Sequence, residues 1–292
     1  MKRLNELNPI TAFLYFLLTV GAVTFSTESV LTLISLFGSI LFFLVRNGLE
    51  NKKSHLYAFL FFIVSALANP LFNHMGQTPL IVINDNPITK EASFYGLCMA
   101  GVLVSVIYWF RSFSQIMTSD KLIYIFGVIS PKFSLLLSTA LRYIPLFSRQ
   151  SRKVKLTQKA MGLYKDGNLW DRFKGELRVF SVMMTWALEN GIVTADSMAA
   201  RGYSEKKRVS FSFYRFRVND FIVLAVSLAL FVITSFGKAF SVVDTQFYPV
   251  IVQSRLTPAG FAVYLSYFLL AVMPSVFEVK EELKWKYLTS KI

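Results

Sequence analysis

Six long apolar runs limit what this chain can fold into. None of them contains a charged side chain, and they span residues 10–25, 30–45, 56–71, 92–110, 221–236 and 259–277. Crossing the roughly 30 Å hydrocarbon core of a bilayer takes a helix of about 20 apolar residues. Of the 292 residues, 54% are hydrophobic and only 16% are charged, whereas soluble domains carry about 25% charged residues. The sequence therefore predicts an all-α, polytopic membrane protein with about six transmembrane helices.

The distribution of Lys and Arg predicts the orientation of these helices. With the N-terminus inside and six crossings, the outer connections carry Lys90, Lys238 and Arg255, and the other 28 of the 31 cations lie inside. Inserted proteins concentrate Lys and Arg in their cytoplasmic connections. We therefore expect both termini in the cytoplasm. The net charge of +14 indicates topology and contact with membrane lipid rather than binding of nucleic acid.

A further apolar stretch, 122–141, is interrupted by Pro131 and Lys132. If it crossed the membrane, the next segment, 142–217, would lie outside with its sixteen cations and six anions. We therefore interpret 122–141 as a re-entrant or interfacial element, with a spanning helix paired with another as the alternative. The expected organisation is N-terminal membrane helices (1–111), a central cytoplasmic or interfacial region (112–217), and C-terminal membrane helices with a tail (218–292).

The central region is expected to contain two helices separated by a polar turn at 165–168. In the first helix, the helical period separates apolar from basic side chains, which is typical of a helix that lies along a membrane or another helix. The apolar set is Tyr143, Leu146, Phe147, Val154 and Met161, and the basic set is Arg149, Arg152, Lys155 and Lys159. The simpler alternative is that these cations only contact lipid headgroups.

The second central helix is expected over residues 176–201, and small residues recur in it at every fourth position. This small-residue line lets the backbone of another helix approach closely, and it consists of Ala187, Gly191, Ala195 and Ala199. The helix is expected to end at Ala200-Arg201-Gly202, with Arg201 at the negative end of the helix dipole and Gly202 in a left-handed cap. A guanidinium held there suits a carboxylate or the backbone carbonyls of a partner.

Three segments together carry a family resemblance. Residues 187–203 end in Ser-Met-Ala-Ala-Arg-Gly-Tyr, and residues 142–146 (Arg-Tyr-Ile-Pro-Leu) are followed by Lys159-Ala160-Met161-Gly162. The third segment runs from 69–74 (Asn-Pro-Leu-Phe-Asn-His) through 86–89 (Asn-Pro-Ile-Thr). With the membrane pattern, these segments resemble the transmembrane T component of energy-coupling factor (ECF) transporters, and the resemblance covers most of the chain.

The resemblance implies a scaffold without a catalytic site or a cofactor, in a bacterial or archaeal plasma membrane. In such transporters two long coupling helices cross one another, and each ends in an Ala-Arg-Gly motif that sits in a groove of one of two ABC ATPase subunits. ATP hydrolysis then moves a substrate-binding membrane subunit, the S component, which releases a vitamin or a transition-metal ion inside. The S component recognises the substrate, so no residue of this chain is expected to specify it. The small-residue line would form the helix crossing, and Ala200, Arg201 and Gly202 would form one ATPase contact.

The sequence departs from the family pattern in its first motif. It reads Ala160-Met161-Gly162, with methionine in place of the expected arginine. We therefore expect asymmetric engagement, in which one ATPase is held through Arg201 and the other mainly through apolar contact at Met161. Lys159 or Lys165 would supply a displaced cation.

Other classes of function fit the sequence less well. A membrane phosphotransferase needs several aspartates to hold its metal, and Asp196 is the only one near Arg201. His55 and His74 are too isolated for a metal site. The chain has no phosphate-binding loop of the P-loop type, so any ATP hydrolysis must come from another chain. A conventional ABC permease with its own translocation path is the closest alternative.

Overall fold

The computed structural model describes residues 6–26, 28–48, 52–73, 75–83, 86–164, 169–203, 214–253 and 257–289. The chain divides into two compact units. Unit 1 contains Met1–Leu122 and Tyr214–Ile292, and unit 2 contains Ile123–Phe213. Unit 2 therefore falls within the predicted central region, and unit 1 combines the two predicted groups of membrane helices.

The described residues of unit 1 form six long or medium helices and two short hairpins. Its helices are α1 (Pro9–Thr24), α2 (Ser29–Asn47), α3 (Lys52–Phe72), α4 (Lys90–Ile116), α8 (Val218–Ala239) and α9 (Pro258–Thr289). Strands β1 (Pro79–Ile83) and β2 (Asn86–Thr89) pair antiparallel between α3 and α4, and β3 (Thr245–Gln246) pairs with β4 (Val252–Gln253) between α8 and α9. The six helices coincide with the six predicted runs.

Close helix packing holds unit 1 together. Helix α4 packs against α1, α2 and α3, while α9 packs against α2 and α8. A Cβ atom added at Gly38 would lie 2.8 Å from Ala271 Cβ, and one added at Gly96 would lie 2.6 Å from the carbonyl oxygen of Ala66. Glycine at these two positions lets α2 approach α9 and α4 approach α3, as small residues do in other membrane helix pairs. The Trp109 indole of α4 stacks on the ring of Phe42 of α2, and both side chains are fully buried.

The six helices of unit 1 alternate in direction. The first turns of α1 and α8 meet where the Asn8 N–H donates to Asp220 Oδ1 at 3.1 Å. At the same end, Arg46 near the end of α2 forms an ion pair with Glu278 of α9 at 2.9 Å and donates to Gln115 of α4. The opposite end carries the α1–α2 turn, the β1–β2 hairpin and the α8–α9 connection, and we call it the hairpin end.

The structure confirms the predicted all-α, polytopic class. Five helices in the described part of the chain are long and apolar enough to cross a membrane, and α1 has the right composition at only 16 residues. The alternating directions match the predicted threading. Which end faces the cytoplasm stays a prediction.

Unit 2 consists mainly of two long helices, α6 (Pro131–Ala160) and α7 (Leu169–Ala200). The apolar stretch 122–141 is split between α5 (Ser119–Ile129) and α6. The break falls at Ser130, because proline at the first position of α6 starts a helix but cannot continue one. The interpretation of this stretch as a re-entrant or interfacial element, with a spanning helix as the alternative, stays a prediction.

Helix α7 begins seven residues earlier than the predicted 176–201. Asp171 lies in its first turn, where a negative charge stabilises the helix dipole. The polar turn predicted at 165–168 lies outside the described residues, as do His74 and Arg255.

Candidate functional site

The two helices of unit 2 contact each other through large side chains. Tyr143 Oη of α6 lies 2.7 Å from Thr194 Oγ1 of α7, and the ring of Phe147 meets the Trp186 indole edge to face at 5.4 Å. Tyr143 and Phe147 belong to the predicted apolar face of α6. That face therefore packs against a helix, whereas Met161, from the same predicted set, is exposed.

The small-residue line does not form the α6–α7 contact. Ala187 is half-buried and Gly191, Ala195 and Ala199 are exposed. A Cβ atom added at Gly191 would have no atom within 4 Å. These small residues therefore lie outside the α6–α7 contact of this structure, and a helix crossing along their line stays a prediction.

Helix α7 ends in a Schellman motif, as the glycine of its final triplet predicts. Its last helical residue is Ala200, Arg201 is the C-cap, and Gly202 has a φ of +77°. The Gly202 N–H donates to the Ala199 carbonyl at 3.0 Å, and the Tyr203 N–H donates to the Met198 carbonyl at 3.1 Å. These two bonds satisfy carbonyls that the end of a helix would otherwise leave unpaired.

Helix α6 ends in the same motif forty residues earlier. Met161 is the C-cap, and Gly162 has a φ of +67°. The Gly162 N–H donates to the Lys159 carbonyl at 3.0 Å, and the Leu163 N–H donates to the Gln158 carbonyl at 3.0 Å. Met161 therefore occupies the position in α6 that Arg201 occupies in α7, so the two triplets are structurally equivalent.

The two C-cap residues present different chemistry to the surroundings. Met161 is 65% exposed. Arg201 is also exposed, and its guanidinium makes no hydrogen bond or ion pair with the described residues. One helix end therefore offers a flexible apolar side chain and the other a guanidinium. We call these ends, 160–163 and 200–203, the α6 tip and the α7 tip.

A cluster around Tyr164, which the sequence analysis missed, fixes the α6 tip to the start of α7. Tyr164 Oη donates to Glu176 Oε1 at 2.7 Å, and Lys155 Nζ forms an ion pair with the same carboxylate. Gly175 lies under the tyrosine ring, since a Cβ atom there would be 2.7 Å from Tyr164 Cδ2. Arg178 Nη1 donates to the Leu163 carbonyl at 2.9 Å. Gly175, Glu176 and Arg178 lie within four residues of each other, and this spacing gives no clue that a tyrosine before the turn would bind there.

The charge of Glu176 is stabilised in this cluster. The hydrogen bonds from Lys155 and then from Tyr164 lower the pKa of Glu176. A carboxyl group whose pKa is lowered by folding contributes stability above its ordinary titration range, and that contribution is lost as the pH falls through the lowered pKa. The α6 tip is therefore held most firmly near neutral pH. The carboxylate is largely exposed, so the contribution is small.

The exposed side of α7 is also apolar, which the sequence analysis did not single out. Seven large residues at helical spacing are exposed along it, and we call them the apolar face of α7: Leu169, Phe173, Leu177, Phe180, Met184, Leu188 and Ile192. Their recurrence at every third or fourth position could have identified it. In the described residues no group of three or more His, Cys, Asp or Glu side chains could hold a metal ion.

Two glycines of α7 should respond in opposite ways to the same substitution. Gly202→Ala forces an L-residue into the left-handed region and should destabilise the α7 tip by about 1–2 kcal/mol. Gly191→Ala adds a methyl group in open space within a helix and should stabilise α7 by up to about 1 kcal/mol. Hydrogen exchange of the amides of residues 198–203 measures the first effect, and exchange across the middle of α7 measures the second.

Gly202→Asn is the control for the first variant, because asparagine tolerates the left-handed region better than alanine. Equal exchange at the tip in Gly202→Ala and wild type would contradict the Schellman motif.

Two known proteins are similar in sequence to about a third of this chain. The energy-coupling factor transporter transmembrane protein EcfT of Bacillus selenitireducens is 32% identical over 97 residues, which are 32% of this chain and 36% of that protein. EcfT 1 of Listeria monocytogenes is 29% identical over 99 residues, 33% of this chain and 37% of that protein. The matched part thus spans little more than a third of the length of these relatives, and no family model matches the chain. Over this third the comparisons confirm the predicted resemblance to the transmembrane T components of ECF transporters.

Proposed function

We propose that this chain is the T component of an ECF-type importer. In that role it is a non-catalytic scaffold that passes motion from two ABC ATPase subunits to a substrate-binding S component for uptake of a vitamin or a transition-metal ion. The observation that carries the proposal is the pair of equivalent α6 and α7 tips, each an exposed C-cap residue on a long helix of unit 2. The similarity to two EcfT proteins supports it.

The α7 tip is suited to hold one ATPase through Arg201. The helix dipole and the Schellman motif fix the backbone, and the guanidinium extends from it as a forked donor. An exposed pair between this group and a carboxylate would contribute only about 0–1 kcal/mol. If the groove of the partner is dry, truncating one member of the pair instead costs about 2–5 kcal/mol. Arg201 therefore matters most if the tip is fully enclosed.

Reversing the charge at Arg201 should release an ATPase. In mild detergent, wild type should co-purify with the two ATPase subunits of its host, and Arg201→Glu should lose one or both because a carboxylate replaces the guanidinium in an enclosed groove. An effect of about 2–5 kcal/mol is a loss of affinity of roughly thirty-fold or more. Retention is measured by quantitative mass spectrometry of the purified complex.

Arg152→Glu is the matched control, since Arg152 is an exposed arginine of the same unit away from both tips. It should retain both ATPases. Recovery of no ATPase with wild type would sink the scaffold proposal and favour a self-contained membrane protein. Equal losses in the two variants would show that net charge, rather than the α7 tip, decides binding.

The α6 tip is suited to a different, apolar groove. Met161 and Leu163 are both at least half exposed there, and the cations that could replace the missing arginine are engaged nearby. Lys155 pairs with Glu176, and Lys159 lies over the Tyr164 ring at 5.2 Å. Lys165, the other candidate for a displaced cation, lies outside the described residues. We infer that the two ATPases are engaged asymmetrically.

Placing arginine at the α6 tip should weaken one ATPase contact. Met161→Arg would bury a cation in an apolar groove, so we expect lower retention of one ATPase and slower transport. Met161→Leu keeps the volume and should retain both subunits. Stronger assembly and faster transport in Met161→Arg would mean that the α6 motif is a degenerate version of the arginine motif.

The apolar face of α7 is suited to a membrane partner. It consists of seven exposed apolar residues at helical spacing between positions 169 and 192, and Trp186, which contacts α6, is not one of them. Exposed apolar surfaces of this extent mark interaction sites. We assign this face to the S component, which distinguishes the scaffold from a conventional permease that needs no such subunit.

A lysine on the apolar face should release the S component and leave the ATPases in place. Leu188 and Val193 are 65% and 63% exposed on the same helix, and only Leu188 belongs to the apolar face. Leu188→Lys should reduce co-purification of the S component at least about tenfold, because the ammonium group would lose its hydration in the interface. Val193→Lys should leave co-purification of the S component unchanged. Unchanged recovery in both variants would contradict this assignment.

A further inference from the structure

Glu28 has a carboxyl group that is buried in the structure. It lies between α1 and α2 at the hairpin end of unit 1 and is 1% exposed. Its N–H donates to Ser26 Oγ at 3.4 Å, and its carbonyl accepts from the Thr32 N–H at 3.1 Å and from Thr32 Oγ1 at 2.8 Å. The backbone of Glu28 thus starts α2, and its carboxyl group is not needed to cap the helix.

The carboxyl group of Glu28 points to the two elements that follow α8. Tyr264 Oη of α9 donates to Glu28 Oε2 at 3.3 Å. Thr245, in β3 of the α8–α9 connection, also faces the carboxyl group. Glu28 Oε1 and Thr245 Oγ1 are both buried, and neither has a well-aligned hydrogen-bond partner among the described residues. The site is therefore poorly equipped to hold a full negative charge.

The α8–α9 connection closes over this carboxyl group. It buries every second side chain, Val243, Thr245 and Phe247, in extended backbone. Phe247 meets Tyr95 of α4 edge to face at 5.2 Å. Tyr248 Oη accepts a hydrogen bond from Asn73 Nδ2 at 3.3 Å. Thr245 is the middle one of these three buried side chains, and it is the one that faces the carboxyl group of Glu28.

The other ionisable groups that act on this site come from four elements. Asp244 in the connection and Lys238 at the end of α8 are in electrostatic range, as is Cys98 of α4. Tyr264 of α9 is the hydrogen-bond donor. Burial raises the pKa of Glu28, and Asp244 raises it further. Hydrogen bonds to Thr245, Tyr264 and the backbone of Val30 partly offset this rise. A metal ion is a poor alternative occupant, because Lys238 would repel it and, among the described residues, Glu28 and Asp244 are the carboxylates that act on the site.

We propose that Glu28 is a proton-dependent latch that holds the α8–α9 connection closed over the hairpin end when its carboxyl group is neutral. The neutral group can donate a proton to Thr245 or to a carbonyl and carries no charge into the buried site. Ionisation leaves a charge in a buried site where Glu28 Oε1 has no well-aligned partner among the described residues, and this is relieved when the connection opens and water reaches the carboxylate. In the orientation predicted from the distribution of Lys and Arg, this latch lies on the outer side of the membrane, where external pH acts on it.

The sign of the pH effect follows from the raised pKa. A carboxyl group with a higher pKa in the closed form binds its proton more tightly there than in the open form. Closure is therefore favoured at acid pH and is lost as the pH rises through the pKa of the closed form. Between the two pKa values the equilibrium changes by up to about tenfold per pH unit.

Hydrogen exchange of the full chain in lipid nanodiscs tests the latch. Protection of residues 240–253, corrected for the intrinsic pH dependence of exchange, should fall by about threefold to tenfold from acid to neutral pH in wild type. Glu28→Gln carries a neutral side chain of the same shape, and its protection should be high and independent of pH. Asp244→Asn should keep the pH dependence, which identifies Glu28 as the titrating group. Exchange of residues 29–47 reports whether each variant is folded.

Constant protection of 240–253 across this pH range in wild type would overturn the proposal. So would a pH dependence that persists in a folded Glu28→Gln variant. If Glu28→Gln does not fold, the wild-type and Asp244→Asn profiles still decide, because loss of the pH dependence in Asp244→Asn would assign the titration to Asp244 instead.

Discussion

Close approach of helix backbones is the constraint on which unit 1 depends. In a bilayer, the hydrophobic effect does not drive helices together, so they associate through dispersion contacts that require matched surfaces. Gly38 against Ala271 and Gly96 against the Ala66 carbonyl provide two such surfaces. Polar side chains then find partners within the bundle, as where Tyr15 Oη donates to the Leu270 carbonyl at 2.6 Å. The bundle is thus positioned by shape first and by a few buried hydrogen bonds second.

Unit 2 follows a different principle. Its two long helices are held by aromatic and polar contacts along their length, and their ends are completed by backbone hydrogen bonds that need no partner. The side that faces away from α6 stays apolar. A pair of helices with self-sufficient ends and an unfilled apolar face is suited to receive other subunits. These features, together with the partial similarity to EcfT, support a scaffold more directly than they support a catalyst.

The six helices could be predicted because a helix that crosses a bilayer must be long and must lack charged side chains. The six apolar runs meet both conditions. The left-handed cap at Gly202 could be predicted because glycine after a helix has a local physical reason. Contacts between residues that are far apart in the sequence could not be predicted in this way. The burial of Glu28 depends on Thr245 and Tyr264, more than two hundred residues away. Likewise, small residues at every fourth position permit a close crossing without specifying one.

The equivalent caps of α6 and α7 have a consequence for how such a protein can change over generations. In both tips the helix end is completed by a glycine and by main-chain bonds, so the identity of the C-cap side chain has little influence on folding. Met161 and Arg201 show that one backbone geometry accepts both an apolar and a cationic residue. A single codon change at either position can therefore alter the chemistry that the tip presents while leaving the fold intact. The surface of such a tip can diversify without first passing through an unstable intermediate.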